Sequence, residues 1–305
     1  MSTPTRSLRT ADGTNTGAFG LIEWSMLGVV ALIWGSSFLW IAIGLDSLHP
    51  GAVAFLRSIL GAVAMSFVPA SRRPVERSAL PVIAIIGVFG TLAPALFFAF
   101  AEQRIESSVA GMVQSAAPLV ILFLAVVMSR KSPGRIQVVG LFIGFGGGVL
   151  LALPNVVGSD AQPLGVLLVL GAITCYSVSS NLLPPVVQEF GGPAVMTRAL
   201  WISSILLFPY GLWGLANSSF AWSAVLAMTI LGVFGTGLAR TVFAELIGRA
   251  GAPRASMVSY FVPVVAVILG VTFRSDTVSA MELLGLAVIL SSAWLISRAQ
   301  TASSH

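Results

Sequence analysis

The sequence predicts an all-α integral membrane fold, with ten transmembrane helices arranged as two inverted five-helix repeats. Composition supports it first, because hydrophobic residues make up 56% and charged residues 9% of the chain, whereas soluble domains carry roughly 25% charged residues. Apolar stretches of about 20 residues recur along the whole length, and each is long enough to cross a bilayer as a helix. The two halves of the sequence are also similar to each other.

In this internal repeat, matching residues are separated by a constant number of positions. Residues 107–118 read SSVAGMVQSAAP, and the related stretch APRASMVSYFVP begins 145 residues later, at Ala252. The same shift carries GVFGT at 87–91 onto an identical GVFGT at 232–236. Self-similarity of this kind indicates duplication of one structural unit. Because each unit has an odd number of helices, the second unit is expected to enter the membrane in the opposite direction, as in carriers whose site lies between the halves.

The first repeat is predicted to cover 21–153, with helices separated by two basic loops and ending in a glycine-rich fifth helix. Its helices are expected at 21–44, 50–69, 80–101, 107–128 and 136–153. The polar stretch 154–163 separates it from the second repeat, which is predicted at 164–298. The helices there are expected at 164–187, 194–215, 222–247, 255–273 and 280–297. Pro184 and Pro185 are expected to break the sixth helix near its end.

The two tails and the orientation follow from polarity and charge. Residues 1–20, which are polar with scattered Gly, Thr and Asn, are predicted to be a disordered cytoplasmic tail, and 299–305 a second cytoplasmic tail. Placing the N-terminus in the cytoplasm collects twelve of the Arg and Lys residues on that side and leaves Arg104 and Arg274 outside. This asymmetry predicts a multi-pass protein of the inner (plasma) membrane with both termini cytoplasmic.

Several classes of function are disfavoured. The net charge of +5 comes from basic residues in short loops, with no basic block for nucleic acid. The single Cys175 permits no disulfide framework. The only histidines are His49 and His305, no pair of carboxylates falls mid-membrane, and neither a metal site nor a cofactor is predicted. A membrane-embedded enzyme or a receptor is therefore a weaker alternative to a carrier. The expected partners are a small-molecule substrate and the lipid bilayer, with monomer or homodimer left open.

Polar and small residues on the fourth and ninth helices are candidates for the walls of a central cavity. Spacings of three and four place Gln114 and Ser115 on one face that ends at Pro118. The equivalent face of the ninth helix carries Ser259 and Tyr260 and ends at Pro263. Close helix packing is the alternative for the glycines and serines. Cavity lining is favoured for Gln114 and Tyr260, and the two prolines are predicted to be bending points.

Residues at membrane depth on other helices complete the predicted site. Arg240 lies deep in the eighth helix, where an ionisable group is a functional candidate, and it is expected to attract a carboxylate or another anion. Bonding to free carbonyls or snorkelling to the interface is the alternative. Trp34 is too deep for an interfacial belt. The remaining candidates are Ser37, Tyr176 and Asn181. Arg57 is interpreted as structural, and Phe97 and Phe98 as lipid-facing.

The motifs on four helices resemble one known superfamily. They are Trp34-Gly35-Ser36-Ser37-Phe38, Leu56-Arg57-Ser58, Ser115-Ala116-Ala117-Pro118 and Ser259-Tyr260-Phe261-Val262-Pro263-Val264. In these residues the chain resembles the drug/metabolite transporter superfamily, specifically its ten-helix group with two EamA-type repeats. The resemblance covers roughly 24–298. It implies an integral membrane carrier, often an exporter of amino acids or related metabolites, that works by alternating access through a central cavity between the repeats.

Overall fold

A computed structural model describes residues 11–15, 17–130, 133–156, 162–274 and 280–298. Within these ranges the chain forms ten helical spans, which confirms the predicted fold class. Those of the first half are α1 (Leu21–Leu45), α2 (Pro50–Ser66), α3 (Leu80–Gly87, Val88–Leu92 and Ala93–Ala101), α4 (Ser107–Gln114 and Ala117–Ser129) and α5 (Arg135–Val156). Those of the second half are α6 (Pro163–Phe190), α7 (Gly192–Ala216), α8 (Trp222–Ile230, Leu231–Leu238 and Ala239–Ala250), α9 (Ala252–Ala255 and Val258–Arg274) and α10 (Ala280–Arg298).

The length and surface of these helices suit a bilayer. Five described helical stretches are long and apolar enough to cross it: Leu21–Leu45, Arg77–Ala101, Pro163–Phe190, Gly192–Ala216 and Trp222–Ala250. Shorter apolar helices lie in α2, α4, α5 and α10. Large apolar side chains also face outward, for example Phe123 and Ile205, which are 67% and 66% exposed. An apolar outer surface is what lipid contact requires, since lipid tails are the solvent there.

The sixth helix differs from its prediction. α6 runs without a break from Pro163 to Phe190, with Pro184 and Pro185 inside it. A proline removes one backbone N–H donor, but inside a membrane bundle the neighbouring helices satisfy the carbonyls that it frees. The helix stops instead at Gly191, whose φ of +83° lies in the left-handed region. Gly251, with φ +78°, ends α8 in the same way before α9 begins.

One end of the bundle, which we call the basic end, gathers the described N-terminal segment, the end of α10 and the 2–3, 6–7 and 8–9 connections. The Thr14 N–H donates to the Gly248 carbonyl at 3.2 Å and the Phe19 N–H to Ser297 at 3.1 Å. Gln188 Nε2 donates to the same Gly248 carbonyl at 2.9 Å. The described part of the predicted N-terminal tail, 11–15 and 17–20, thus packs on the bundle, while 1–10 and 299–305 lie outside the described residues.

The opposite end joins the remaining described connections. The Ser219 N–H donates to the Ser47 carbonyl at 2.8 Å, and the His49 N–H to Ser218 Oγ at 2.9 Å. The Gln162 N–H donates to the Arg104 carbonyl at 3.4 Å. The 1–2, 3–4 and 7–8 connections and the start of α6 therefore meet at this end. Since α1 begins at the basic end and α6 begins at the opposite end, the two halves run in opposite directions.

Helices of the two repeats pack chiefly across the repeat boundary. α1 contacts α9 and α6 contacts α4, while α2 contacts α8 and α7 contacts α3, so each contact has its symmetric counterpart. α2 also packs on α7, and α5 packs on α10. Glycines of α5 allow close packing on α10 and α9: a Cβ at Gly140 would lie 2.6 Å from Ile296 Cγ1, and one at Gly144 2.4 Å from Tyr260 Cε2.

The repeated GVFGT motif has a shared local structure that the sequence did not predict. It lies in π-helical turns, Val88–Leu92 in α3 and Leu231–Leu238 in α8. Glycine is required where each bulged helix approaches its neighbour. A Cβ at Gly87 would lie 2.7 Å from the Ala199 carbonyl oxygen, and one at Gly232 would lie 2.6 Å from Leu60 Cβ. A π-turn widens the backbone and is frequent at functional sites.

Candidate substrate cavity

A cavity lies near the middle of the bundle, between the repeats, with about 80 Å³ open to the centres of water molecules. Since one water needs roughly 10–15 Å³ of such space, it holds several waters or part of a small solute. Helices of both repeats contribute its walls: Trp34, Ser37, Phe38, Ile41, Arg57, Phe98, Gln114, Ala117, Ile121, Tyr176, Ser179, Ser180, Leu183, Met196, Arg240, Phe243, Ser259 and Val262. Six of the nine predicted substrate-binding residues lie in this lining.

Arg240 connects the cavity to the π-turn of α3. Its Nη1 donates to the carbonyl of Gly90, and its Nη2 donates to Tyr176 Oη at 2.5 Å. Its Cζ also lies 4.8 Å from the centroid of the Tyr176 ring. The side chain is 8% exposed, and its Nε is buried with no acceptor among the described residues. The guanidinium is thus held in place by its two Nη atoms, while its Nε keeps a buried N–H without an acceptor in the described chain.

The corresponding carbonyl of the other repeat has a different partner. Gly235, which stands 145 residues after Gly90, accepts a hydrogen bond from Trp34 Nε1 at 3.1 Å. Trp34 also meets Phe243 with ring centroids 4.9 Å apart and an interplanar angle of 62°. The two symmetric π-turns therefore each receive one donor from a cavity side chain, a cation in one half and an indole in the other.

Arg57 breaks the symmetry further. Its Nε donates to Thr236 Oγ1 at 3.0 Å, and it is 5% exposed. The equivalent hydroxyl of the first repeat, Thr91 Oγ1, is buried with no partner among the described residues. The sequence favours a structural role for Arg57, and the structure places it both against α8 and in the cavity lining. Its position in the apolar stretch indicates how deep it lies, but not the direction in which it faces.

The rest of the wall is aromatic and apolar. Phe38 and Phe98 lie edge to face with centroids 5.7 Å apart, and Phe98 lies 6.1 Å from the Tyr176 ring. Phe98 is buried, so its predicted lipid-facing position is wrong. Its helix packs against α6, which covers this face. Of the polar groups, Gln114 Oε1 is buried without a partner among the described residues, and Ser37 Oγ donates to the Ile33 carbonyl at 2.9 Å.

Three predicted substrate-binding residues lie outside this lining and bond to helices instead. Tyr260 Oη donates to the Leu141 carbonyl at 2.6 Å, and the side chain is fully buried against α5. Asn181 Nδ2 donates to the Ile121 carbonyl at 3.1 Å and to Ser177 at 2.9 Å. Ser115 Oγ donates to the Gly111 carbonyl at 3.4 Å. The bonds of Tyr260 to Leu141 and of Asn181 to Ile121 join two packed helices, whereas the bond of Ser115 stays within α4.

The two predicted bending points occupy different positions. Pro118 lies in the first turn of the second segment of α4, just after that helix is interrupted at Ser115 and Ala116. Pro263 lies inside the continuous segment Val258–Arg274 of α9, and the interruption of that helix comes earlier, at Ser256 and Met257. Bending at either proline stays a prediction.

Among the described residues, no cluster of His, Cys, Asp and Glu has the arrangement of a metal site. The cavity instead offers two guanidinium groups, hydroxyl and amide groups, and several aromatic rings. Such a set binds a small solute through a few polar contacts on an apolar wall.

Comparison with known proteins agrees with this architecture. The model of a family described as "EamA-like transporter family" matches residues 23–153 and again 163–298. A "Probable terminal-alkyne amino-acid exporter" of Streptantibioticus cattleyicolor is 23% identical, over 90% of this chain and 93% of its own length. A "Probable amino-acid metabolite efflux pump" of Escherichia coli is 22% identical, over 88% and 92%. An "Uncharacterized inner membrane transporter YedA" of Escherichia coli is 27% identical, over 85% of each.

A crystal structure of another protein has the same fold. It superposes with a TM-score of 0.71 over 90% of this chain and 95% of that chain, at 20% sequence identity. At this identity the likeness concerns the fold alone.

Proposed function

Because the chain belongs to the EamA-like transporter family, we propose that it carries a small polar metabolite, an amino acid or a related compound, out of the cell by alternating access. The observation that carries this proposal is the cavity at mid-depth, since its walls come from both repeats and it contains Arg240. Relatives named as an amino-acid exporter and a metabolite efflux pump support the direction and the class of solute.

The proposed substrate contacts are the lining residues with polar or aromatic side chains. Arg240 attracts the anionic group of the solute, Gln114 and Ser259 supply neutral polar groups, and Trp34 and Tyr176 supply aromatic surface. Opening the cavity to one side and then to the other requires the two repeats to move relative to each other. The symmetric contacts between them make rigid-body rocking the natural motion.

The proposed location is the inner (plasma) membrane, with both tails in the cytoplasm. The described N-terminal segment and the end of α10 lie together at the basic end, and the positive-inside rule puts this end in the cytoplasm. Single cysteines test it in a Cys175→Ser background. We expect Arg77→Cys and Glu189→Cys to react from the cytoplasmic side, and Gln103→Cys and Ser219→Cys from the outside. Labelling of Arg77→Cys and Glu189→Cys from opposite sides would contradict antiparallel repeats.

Flux into liposomes tests the transport function itself. Purified protein is reconstituted, and uptake of labelled amino acids and related carboxylic acids is measured against boiled protein. We expect saturable uptake that is strongly reduced by Arg240→Gln. Arg77→Gln is the matched control, because Arg77 is exposed in the 2–3 connection and its substitution removes the same charge far from the cavity. Uptake no faster than with boiled protein across the panel would reject the carrier.

A further inference from the structure

The charges of the central cavity restrict the class of solute. Arg57 and Arg240, which are 5% and 8% exposed, are the ionised side chains among the described residues that line it. No Asp, Glu or His belongs to that described lining. Two buried guanidinium groups at membrane depth attract an anion and repel a cation, because the interior screens charge weakly. A free amino acid carries one charge of each sign.

Three carboxylates on helices that wall the cavity, or next to them, lie outside its lining. Glu245 Oε1 accepts from the Gly192 N–H at 2.6 Å, at the basic end. Glu23 pairs with Arg249, whose Nη2 lies 2.6 Å from Glu23 Oε1, at the same end. Glu102 directly follows α3 at the opposite end of the bundle, and its side chain is not part of the described lining. None of these three carboxylates is placed to bind an ammonium group inside the cavity.

The neutral acceptors of the cavity offer little to an ammonium group either. The carbonyls of Gly90 and Gly235, in the two π-turns, already accept from Arg240 and Trp34. Gln114 Oε1 is buried without a partner among the described residues. The serine hydroxyls and the Tyr176 hydroxyl of the lining can accept as well. All these acceptors are neutral, so none supplies the opposite charge that would offset an ammonium group beside two guanidinium groups.

The cavity offers more to an anion than to an ammonium group. Arg240 Nε is a buried donor with no acceptor in the described chain, on a side chain that is more than nine-tenths buried in the cavity wall. A carboxylate there would form a charge-assisted hydrogen bond, which is stronger than a bond to a neutral acceptor. The same cavity is lined by aromatic rings, among them Phe38, Phe98 and Phe243. These suit an apolar or aromatic body.

We propose that the solute is an organic carboxylate with an apolar or aromatic body and without a charged amino group. Its carboxylate binds at Arg240, in the combined field of Arg57, and its body lies between the aromatic rings. The inference rests on the proposed transport function and narrows it: the deaminated or N-acylated form of an amino acid is a better solute than the free zwitterion.

Four probes with one common ring system test this. They are 3-phenylpropanoate, N-acetylphenylalanine, phenylalanine and phenethylamine, which differ in whether they carry the carboxylate, the ammonium group or both. Binding to the purified full-length protein is measured by isothermal titration, and uptake is measured in proteoliposomes. We expect the two amine-free acids to bind about tenfold more tightly than phenylalanine, and phenethylamine not to bind. Equal or tighter binding of phenylalanine, or binding of neither acid, would overturn the proposal.

Variants test whether the carboxylate binds at Arg240. Arg240→Gln should remove most of the preference for the acids over phenethylamine, while Arg77→Gln should keep it. If Arg240→Gln does not fold, Arg240→Lys is measured in its place. The four-probe comparison on the unaltered protein still tests whether the amine-free acids bind more tightly than phenylalanine. Retention of the full preference in a folded Arg240→Gln protein would contradict binding at this residue.

The two proposals fail in different ways. Saturable transport of phenylalanine without binding of 3-phenylpropanoate would keep the carrier and reject the anion site. Binding of 3-phenylpropanoate that depends on Arg240, without flux of any probe or of the wider panel, would keep the anion site and reject transport.

Discussion

Arg240 forms two hydrogen bonds in different directions, to the Gly90 carbonyl and to Tyr176 Oη, and this depends on the shape of its guanidinium group. Lysine has the same charge but a single nitrogen on a flexible chain. It cannot hold a fixed position between a helix backbone and a phenol while it also presents a donor to the solute, as the proposed binding at Arg240 requires. Charge alone therefore does not account for the role of this residue.

The prediction is that Arg240→Lys lowers transport efficiency at least about tenfold, because losing one charge-assisted hydrogen bond costs about 1.5–3 kcal/mol. The loss should appear chiefly in KM, since a mobile ammonium group binds the solute less well. Concentration dependence of uptake in proteoliposomes measures it, with Arg77→Lys as the control. Unchanged kinetics in Arg240→Lys would show that only the charge matters.

Tyr260 presents the opposite case, a polar residue at the same depth whose hydroxyl is bonded to the Leu141 carbonyl of α5. We expect Tyr260→Phe to lower the free energy of unfolding by about 1 kcal/mol, the usual contribution of one hydrogen bond. Because the ring keeps its packing, KM should not change. Thermal unfolding in detergent and uptake kinetics measure both. A raised KM with unchanged stability would return Tyr260 to the binding site, as its sequence position predicts.

These two residues show how far sequence predicts a site inside a helical bundle. Depth follows from position in an apolar stretch, so the sequence alone marks Arg240 and Trp34 as unusual. Direction does not follow, because in a membrane both the lipid-facing and the buried sides of a helix are apolar. For that reason the sequence wrongly directs Phe98 toward lipid, and it directs Tyr260 and Asn181 toward the cavity although both bond to neighbouring helices.

At the scale of the helix, the two π-turns are the feature that periodicity does not encode. GVFGT occurs twice in the sequence, and this duplication, with an odd number of helices in each unit, predicts antiparallel halves. It does not indicate that each copy widens its helix and makes a glycine carbonyl available to a cavity side chain. Those carbonyls join α3 to Arg240 on α8 and α8 to Trp34 on α1. Each π-turn thus links a helix of one repeat to a cavity side chain on a helix of the other repeat.

Gly90→Ala should disturb this connection more than Gly235→Ala. A Cβ at Gly90 would lie 2.3 Å from Ser179 Oγ and 3.0 Å from Ser179 Cβ, so α3 and α6 would have to separate. A Cβ at Gly235 would meet Leu231 Cδ1 and Ser37 Oγ, each at 3.2 Å. We expect a destabilisation of about 1–3 kcal/mol for Gly90→Ala and a smaller one for Gly235→Ala. Thermal unfolding and flux measure the difference.

The added Ser179→Gly substitution supplies the control for that prediction, since it removes both atoms that Gly90→Ala would meet. It should restore part of the stability and flux, less the cost of a glycine in a helix. If Gly90→Ala and Gly235→Ala proved equally mild, close packing at the α3 π-turn would not matter for function.

At the scale of the whole molecule, the basic end holds the repeats together through contacts that the proposed alternating access would break. Arg254 donates to the carbonyls of Asn15 and Gly17 at 3.0 and 2.6 Å, and to that of Ser297 at 2.9 Å. Gln188 Nε2, near the end of α6, donates to the Asp12 carbonyl at 2.8 Å. The segment that leads into α1 is thus attached to helices of the second repeat.

A reversible covalent link at this place tests the motion. In a Cys175→Ser background, Asp12→Cys combined with Gln188→Cys should accept a short, reducible thiol-reactive cross-linker that ties the segment before α1 to the end of α6. Because opening of the basic end separates these elements, flux should fall to the level of boiled protein when linked and recover on reduction. Each single cysteine variant should keep its flux under the same treatment. Undiminished flux in fully linked protein would mean that the solute enters and leaves without the repeats separating at the basic end, and a rocking mechanism would then be excluded.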